Sequence, residues 1–320
     1  MNDPAKQHLD IGEQREWLVE HKAAGQLSWT EIAKRIGIAH GTISSFGGDT
    51  YNGDQEKIAE KIFKYRQLLT TQNQLDIEAP EVPGYFPTPT SLQLENLLKW
   101  AQRGRIVVAA MGAGLGKTST ARQFQACFPN VFLVTMAPST AGVNNMQIEV
   151  LSVLGERDAV GTPQKLSRRI REKVRNLTNP VIIIDEAQHL SEKAIEEIRG
   201  WHDATGVGIA LFGNILVMQR LEGGSRKAAY AQLFSRIGLQ IPPRTGALTG
   251  DADALADAWN ITGEAEIELI RKIAKMPGGL RGATMMIEIG CMIASGEGQK
   301  LSLSHLQDAR AQLSNRSVAA

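Results

Sequence analysis

Four residues in two short stretches have the types and order to do chemistry together: Lys117 and Thr118 in GAGLGKTS (112–119), and Asp185 and Glu186 at the end of VIIIDE. A lysine ammonium is a point charge suited to phosphate oxygens, and a threonine hydroxyl is a hard ligand suited to Mg2+. A carboxylate closing a buried run can hold the same ion through water, and a second one can polarise a water that attacks phosphorus. The set predicts phosphoryl chemistry on ATP, with Gly112, Ala113, Gly114, Leu115, Gly116, Lys117, Thr118 and Ser119 forming the cradle. Gly112, Gly114 and Gly116 remove the β-carbons that would block a positive φ or the close approach of backbone N–H groups to an anion. The pattern G-x-x-x-x-G-K-[ST] asks for glycine at 111, where this chain has Met111 with glycine next. That departure touches only the fine shape of the cradle.

These residues need a rigid frame. Ile106 to Ala110 is a short apolar run that reads as a buried strand, and Lys117 opens a helix whose amides and dipole face the anion. Val181 to Ile184 is too short for an independent helix and suits a parallel strand covered on both faces. Val131 to Met136 supplies a strand between the two motifs, followed by a helix beginning near Val143. A strand so placed, with an Asp-Glu pair, points to the ATPase division that carries its own catalytic glutamate. VGIALFGN is a further strand ending in Asn214, at the carboxyl edge where ligands of α/β folds collect, and Asn214 could orient the attacking water. Ser91 to Arg103 is an amphipathic helix leading into the phosphate-loop strand, with Leu94, Leu97, Leu98 and Ala101 on one side.

Downstream, Arg236 immediately precedes an apolar strand, Ile237 to Ile241. It is either an ordinary surface residue or a side chain reaching a neighbouring subunit's γ-phosphate. From Thr249 onward the spacing is helical, over Asp251–Trp259, Glu264–Lys275, Leu280–Ala294 and Ser304–Leu313. Arg281 stands at a helix start, where a cation opposes the macrodipole unless an anion is near, which suggests nucleotide contact.

The N-terminal region, from Glu13 to about Leu69, is helical and contains SWTEIAKRIGIAHGTISSF (28–46), the pattern of a helix-turn-helix. Ser28 and Glu31 form a capping box, Ile32, Ala33 and Ile36 give an apolar face, and Gly37 supplies the left-handed residue that ends the first helix. The second helix would expose His40, Thr42, Ser44 and Ser45 to a major groove. Residues 1–70 nevertheless carry one more acidic than basic residue, so tight DNA binding by this module alone is not expected. LDIEAPEVPGYFPTP (75–89) carries four prolines and reads as an extended linker.

Two other stretches could follow a phosphate backbone without reading bases. One is QKLSRRIREKVR (164–175), where Arg168, Arg171 and Arg175 share a helical face beside Arg169, with Leu166 and Ile170 turned inward. The other is the basic loop Gly223-Gly224-Ser225-Arg226-Lys227. Formal net charge over the 320 residues is +1, so any basic surface is local. No apolar run approaches the ~20 residues of a membrane span, and MNDPAKQHLD lacks the regions of a signal peptide, so a cytoplasmic protein is expected, which the resemblance given below would place in a bacterial host. Cys127 and Cys291 are too far apart in sequence to suggest a metal site and read as reduced core residues.

With these motifs placed, the chain resembles the AAA+ ATPases, and more narrowly the transposition protein B family of Mu-type phages. The likeness covers nearly the whole chain, through GTISSF, YNGD, GLGKT, VIIIDEAQHL, LFGN, GGSR followed by LFSRI, and ADAWNITGEAEIELI before GGLR. It implies an α/β AAA+ P-loop core with a parallel sheet and C-terminal helical lid, preceded by an all-α helix-turn-helix domain. The expected divisions are a helix-turn-helix domain over 1–74, a linker over 75–89, the core over 90–245 and the lid over 246–320. It further implies an ATP- and Mg2+-dependent protein that binds double-stranded DNA without sequence preference and forms helical filaments of identical subunits. Such a protein delivers target DNA to a transposase, stimulates strand transfer, and produces target immunity through transposase-stimulated hydrolysis. In that likeness Asp185 and Glu186 are the Walker B pair, Asn214 is sensor 1, Arg236 the arginine finger and Arg281 sensor 2. The competing readings are another AAA+ machine, such as a helicase loader or secretion-associated ATPase, and a helix-turn-helix regulator with a nucleotide-sensing domain.

Overall fold

The computed structural model describes residues 9–78, 80–217 and 235–315. It divides into two compact units, Met1–Pro80 and Glu81–Ala320.

The first unit is helical: α1 Ile11–Ala24, α2 Trp29–Ile36, α3 His40–Gly47 and α4 Gln55–Glu78. The Ser28 hydroxyl accepts the Glu31 N–H at 3.2 Å and the Glu31 carboxylate accepts the Ser28 N–H at 2.8 Å. Gly37, at φ 73° and ψ 42°, then ends α2. Leu18, Ile32, Ile43, Phe46, Ala59 and Ile62 form the unit's buried centre, so α2, the turn and α3 make the expected helix-turn-helix. In α3, His40 is exposed while Thr42, Ser44 and Ser45 are half-buried, a narrower polar surface than the spacing suggested. Helix α4 runs through residues 75–78, which the sequence assigned to the linker. Pro80 is the first proline of that stretch, and only there does the chain lose its bias to helix.

In the second unit, residues 81–88 carry no helix or strand and lead into α5 Pro89–Gln102. There follow β1 Ile106–Met111, α6 Lys117–Cys127, β2 Val131–Thr135, α7 Val143–Val153, α8 Pro163–Arg175, β3 Val181–Asp185, α9 Glu192–Thr205, β4 Gly208–Gly213 and β5 Ile237–Arg244. All pairs are parallel, in the order β2-β3-β4-β1-β5. The strand period of two sends Val107, Ala109, Met111, Ile183 and Phe212 to one face and Ile106, Val108, Ala110, Ile184 and Leu211 to the other. Helices cover both faces, which is why β1, β3 and β4 are uniformly apolar. Pro242 and Pro243 are tolerated in β5 because an edge strand pairs on one side only. The lid comprises Thr249–Ala258, Glu264–Ala274, Gly279–Gly296 and Leu303–Asn315. The fold is therefore an α/β P-loop core with a parallel sheet and helical lid.

No helix among the described residues is long and apolar enough to cross a membrane. Both cysteines are free, and Cys127 is exposed rather than buried. Its spacing puts it on the inner face of α6, but it is the last residue of that helix.

The start of the lid is tied to the core by a buried carboxylate. Asp251 accepts from the Thr90 N–H (2.8 Å), the Thr90 hydroxyl (2.5 Å) and the Leu248 N–H (2.8 Å), while Arg244 donates to the Thr90 hydroxyl at 2.6 Å. Asp251 and Thr90 are fully buried, so removing the carboxylate strands several donors. Asp251→Ala is expected to lower the stability of the second unit by about 3 kcal/mol, and Asp251→Asn, which keeps one acceptor, by less, as read from urea unfolding.

Candidate active site

The phosphate loop leaves the sheet at Met111, a fully buried residue that pairs with Arg244 of β5. Position 111 is therefore still strand, and glycine is first required at 112. There the N–H donates to the Arg244 carbonyl at 2.8 Å, and a β-carbon would lie 2.3 Å from the Thr245 carbonyl oxygen. Gly114 and Gly116 take φ of 73° and 84°. A β-carbon on Gly114 would lie 1.9 Å from the Gly278 carbonyl oxygen. The loop is thus clamped between the end of β5 and the turn that opens the lid helix Gly279–Gly296.

Gly116 begins α6 without any side-chain cap, leaving the first amides of the helix to an anion. The Lys117 ammonium donates to the Met111 and Gly112 carbonyls at 2.9 and 2.8 Å. A lysine has three donors, so one remains for a phosphate oxygen. Burial pushes the Lys117 ammonium below its ordinary value of 10.5, the charges of Asp185 and Glu186 draw it partway back, and Arg281 pushes it down again. The hydroxyl of Thr118 donates to Asp185 Oδ2 at 2.5 Å, which brings the two expected Mg2+ ligands together. A hydroxyl and one carboxylate, with phosphates and water completing the shell, is a common Mg2+ donor set.

Glu186 follows β3 with φ 54° and ψ 38°, a left-handed conformation that costs a non-glycine residue energy. Its N–H donates to Asp185 Oδ1 at 3.0 Å, and its carboxylate accepts from the Gln188 amide. Glu186 lines a cavity of about 670 Å3 together with Ala113 to Thr120, Leu280 and Arg281. That volume suits a nucleotide-sized ligand.

The predicted residues do not all converge. Lys117, Thr118, Glu186 and Arg281 line the cavity, with Asp185 behind Thr118. Asn214 follows β4 but is not among the lining residues; its Oδ1 accepts the Leu216 N–H at 2.9 Å and its own N–H donates to Gln188 Oε1 at 3.2 Å. Arg236 pairs with Asp203, in the last turn of α9, at 2.6 Å. Among the basic candidates of α8, Arg168 and Arg175 are exposed and Arg171 is half-buried. Arg169 is turned onto Glu156 and the Val160 carbonyl. Arg226 and Lys227 lie outside the described residues.

Sequence reasoning missed one wall of the cavity. Val82, Tyr85 and Phe86, read as linker, line it together with Leu255 and Trp259 of the lid, an apolar and aromatic lining of the kind that suits a planar base. Two adjacent aromatics in a proline-rich stretch were the available signal. Gln188 was also passed over, its contacts being to Glu186 before the turn and to Asn214 after β4, 26 residues away.

A family profile described as an AAA domain matches residues 101–221, and one described as the Mu B transposition protein, C terminal, matches residues 235–313. Over 297 residues the chain is 34% identical to the ATP-dependent target DNA activator B of Escherichia phage Mu, covering 92% of each. It is 32% identical over 267 residues to the Mu-like prophage FluMu DNA transposition protein B of Haemophilus influenzae, covering 82% of this chain and 91% of that protein. Among solved structures, a Walker-type ATPase of Pyrococcus abyssi is similar over 72% of each chain at 14% identity and a TM-score of 0.49, too distant a likeness to bear on activity.

The depressed Lys117 has a measurable consequence. A bound triphosphate favours the ammonium and so raises its pKa, which makes binding take up a proton once the pH nears the unliganded value. ATP affinity is expected to hold near neutrality and to fall as the pH rises through that value, earlier than an ordinary lysine would cause. Lys117→Arg, weaker overall but always charged, should show no such alkaline fall in nucleotide titrations from neutrality to about pH 10.

Proposed function

The chain belongs to the family of Mu-type target DNA activators, and from that premise we propose that it is an ATPase that binds duplex DNA without sequence preference while ATP is bound and delivers it to a transposase. The observation that carries this reading is the gathering of Lys117, Thr118, Glu186 and Arg281 around one nucleotide-sized cavity, in a chain so closely related to a target DNA activator.

In the mechanism we infer, the amides that open α6 and the Lys117 ammonium hold the β- and γ-phosphates. Thr118 and Asp185 would hold Mg2+, which when bound neutralises charge on the transferring phosphoryl group. Glu186 accepts a proton from the attacking water. Arg281, carried on the lid, places a second cation against the phosphates and makes lid position depend on the nucleotide.

Arg236 acts on a neighbour's nucleotide. It precedes Ile237, which pairs with Ile106 at the start of β1, whereas the phosphate loop follows Met111 at the strand's other end. A strand of this length spans roughly 17 Å, so Arg236 is held far from its own cradle. ATP would then lie between subunits, joining the cradle of one to Arg236 of the next and favouring a helical filament on DNA. Each subunit needs only a few Lys/Arg–phosphate contacts, because an array on one duplex binds through many linked sites. Arg168, Arg171 and Arg175 along α8 are the described residues best suited to those contacts, and the helix-turn-helix of the first unit is an accessory surface. Hydrolysis, stimulated by the transposase, removes the bridging charge and releases the array, which would clear DNA near the element's ends and give target immunity.

Electron micrographs with random-sequence duplex and a slowly hydrolysed ATP analogue are expected to show filaments for the wild type and none for Lys117→Ala. Arg236→Ala should bind nucleotide normally yet lose assembly and at least roughly 100-fold in DNA-stimulated turnover. Normal turnover in that variant would sink the action between subunits. Arg168→Ala and Arg175→Ala should each weaken duplex binding equally for all sequences and reduce the slope of log affinity against log salt by about 0.9. Binding indifferent to ATP, or confined to one preferred site, would favour a different AAA+ machine or a regulator instead.

A further inference from the structure

Glu186 is not held by its own backbone alone. Gln188 is buried two residues later, in the single 3-10 turn Ala187–His189 that follows β3. Its Nε2 donates to Glu186 Oε2, and its Oε1 accepts the Asn214 N–H at 3.2 Å. The amide therefore spans from the end of β3 to the end of β4, two neighbouring strands. Its orientation is fixed by chemistry. Turned over, the amide would set an oxygen against a carboxylate and an NH2 against an N–H, losing both bonds.

The space for this bridge is also specified. A β-carbon on Gly213 would lie 2.5 Å from Gln188 Oε1, so the last residue of β4 has to be glycine for the side chain to reach Asn214. Glu186, in its left-handed conformation, depends on surrounding contacts to persist there.

We propose that Gln188 is a positioning residue that anchors one oxygen of the Glu186 carboxylate to the end of β4 and leaves the other to receive the proton of the attacking water. A general base has to be held within a fraction of an ångström of its productive position, and a glutamate with three rotatable bonds at a cavity wall is not so held by packing alone. The same bridge ties the position of Glu186 to the end of β4.

This inference rests on the ATPase reading, and the experiment separates the two. Steady-state ATP hydrolysis with DNA present is measured for the wild type, Glu186→Gln, Gln188→Leu and Gln188→Glu. The glutamate variant keeps the size of glutamine and an acceptor for the Asn214 N–H but sets a carboxylate against Glu186, so it carries the test even if the leucine variant does not fold. Both Gln188 variants are expected to lower kcat about tenfold or more while KM for ATP stays within about twofold. Placed in the Glu186→Gln background, they should lower the residual rate no further, because a residue acting only through Glu186 has nothing left to position. Unchanged or raised kcat, or losses that add to that of Glu186→Gln, would overturn the assignment while leaving the ATPase reading in place. A wild type without ATP turnover would overturn both.

Discussion

A cation kept inside a loop of backbone is the interaction on which this active site depends. Lys117 is 8% exposed, and taking an ammonium out of water is costly unless something returns what hydration gave. Two loop carbonyls and the fields of Asp185 and Glu186 return part of it, and on the proposed reading a polyphosphate would complete the balance. The surroundings have to keep the loop from collapsing onto its own lysine, and they do so from two sides. Gly112 lies against the backbone of Thr245 beyond β5, and Gly114 against that of Gly278 before the lid helix, where the Leu280 N–H donates to the Gly114 carbonyl at 2.9 Å. The shape of the cradle is therefore a property of β5 and the lid as much as of the glycines in it. Met111 is compatible with a working loop for the same reason, since the strand continues through it.

The parallel sheet gives the second unit two chemically different ends. At the carboxyl ends of β1, β3 and β4 stand Lys117, Asp185, Glu186 and Asn214. At the amino end of β5 stands Arg236, bound to Asp203, beside the Arg175 guanidinium that donates to the Ala204 carbonyl at 3.2 Å. Strands about 17 Å long keep these ends apart. The phosphate cradle stands at one end of the sheet and Arg236 at the other, which on the proposed reading is the layout a head-to-tail filament would need.

The parts legible in the sequence were those whose chemistry is local. The phosphate loop declares itself through glycine spacing and a following Lys-Thr pair, and β3 through four apolar residues ending in two acids. The capping box at Ser28 and the left-handed Gly37 fixed α2 because both act within a single turn. What stayed hidden depends on partners distant in sequence. Nothing near Asp251 announces that it will be buried against Thr90, and nothing near Arg236 points to Asp203 in α9. The sequence offered Arg168 and Arg169 alike as DNA contacts, while Glu156, in the loop before α8, took only the second. Tyr85 and Phe86 were read from their prolines, which are right about the backbone and say nothing about which cavity the rings line. The last turn of α4, at residues 75–78, was lost to the same prolines.

The pairing of Arg236 with Asp203 bears on why assembly should require a triphosphate. Both side chains are about one-third exposed, and an ion pair of that kind contributes only about 0–1 kcal/mol. Asp203 is also shared, since Arg199 donates to its other oxygen at 2.5 Å, so it retains a cation when Arg236 leaves. Breaking this one pair therefore costs little, but moving a guanidinium onto another group still strips water from it. A doubly charged terminal phosphate in a desolvated interface repays that through bidentate, charge-assisted hydrogen bonds. On the proposed reading, ADP would offer Arg236 no γ-phosphate to bind. On that reading the internal ion pair would not block assembly but would set a small threshold that a γ-phosphate clears.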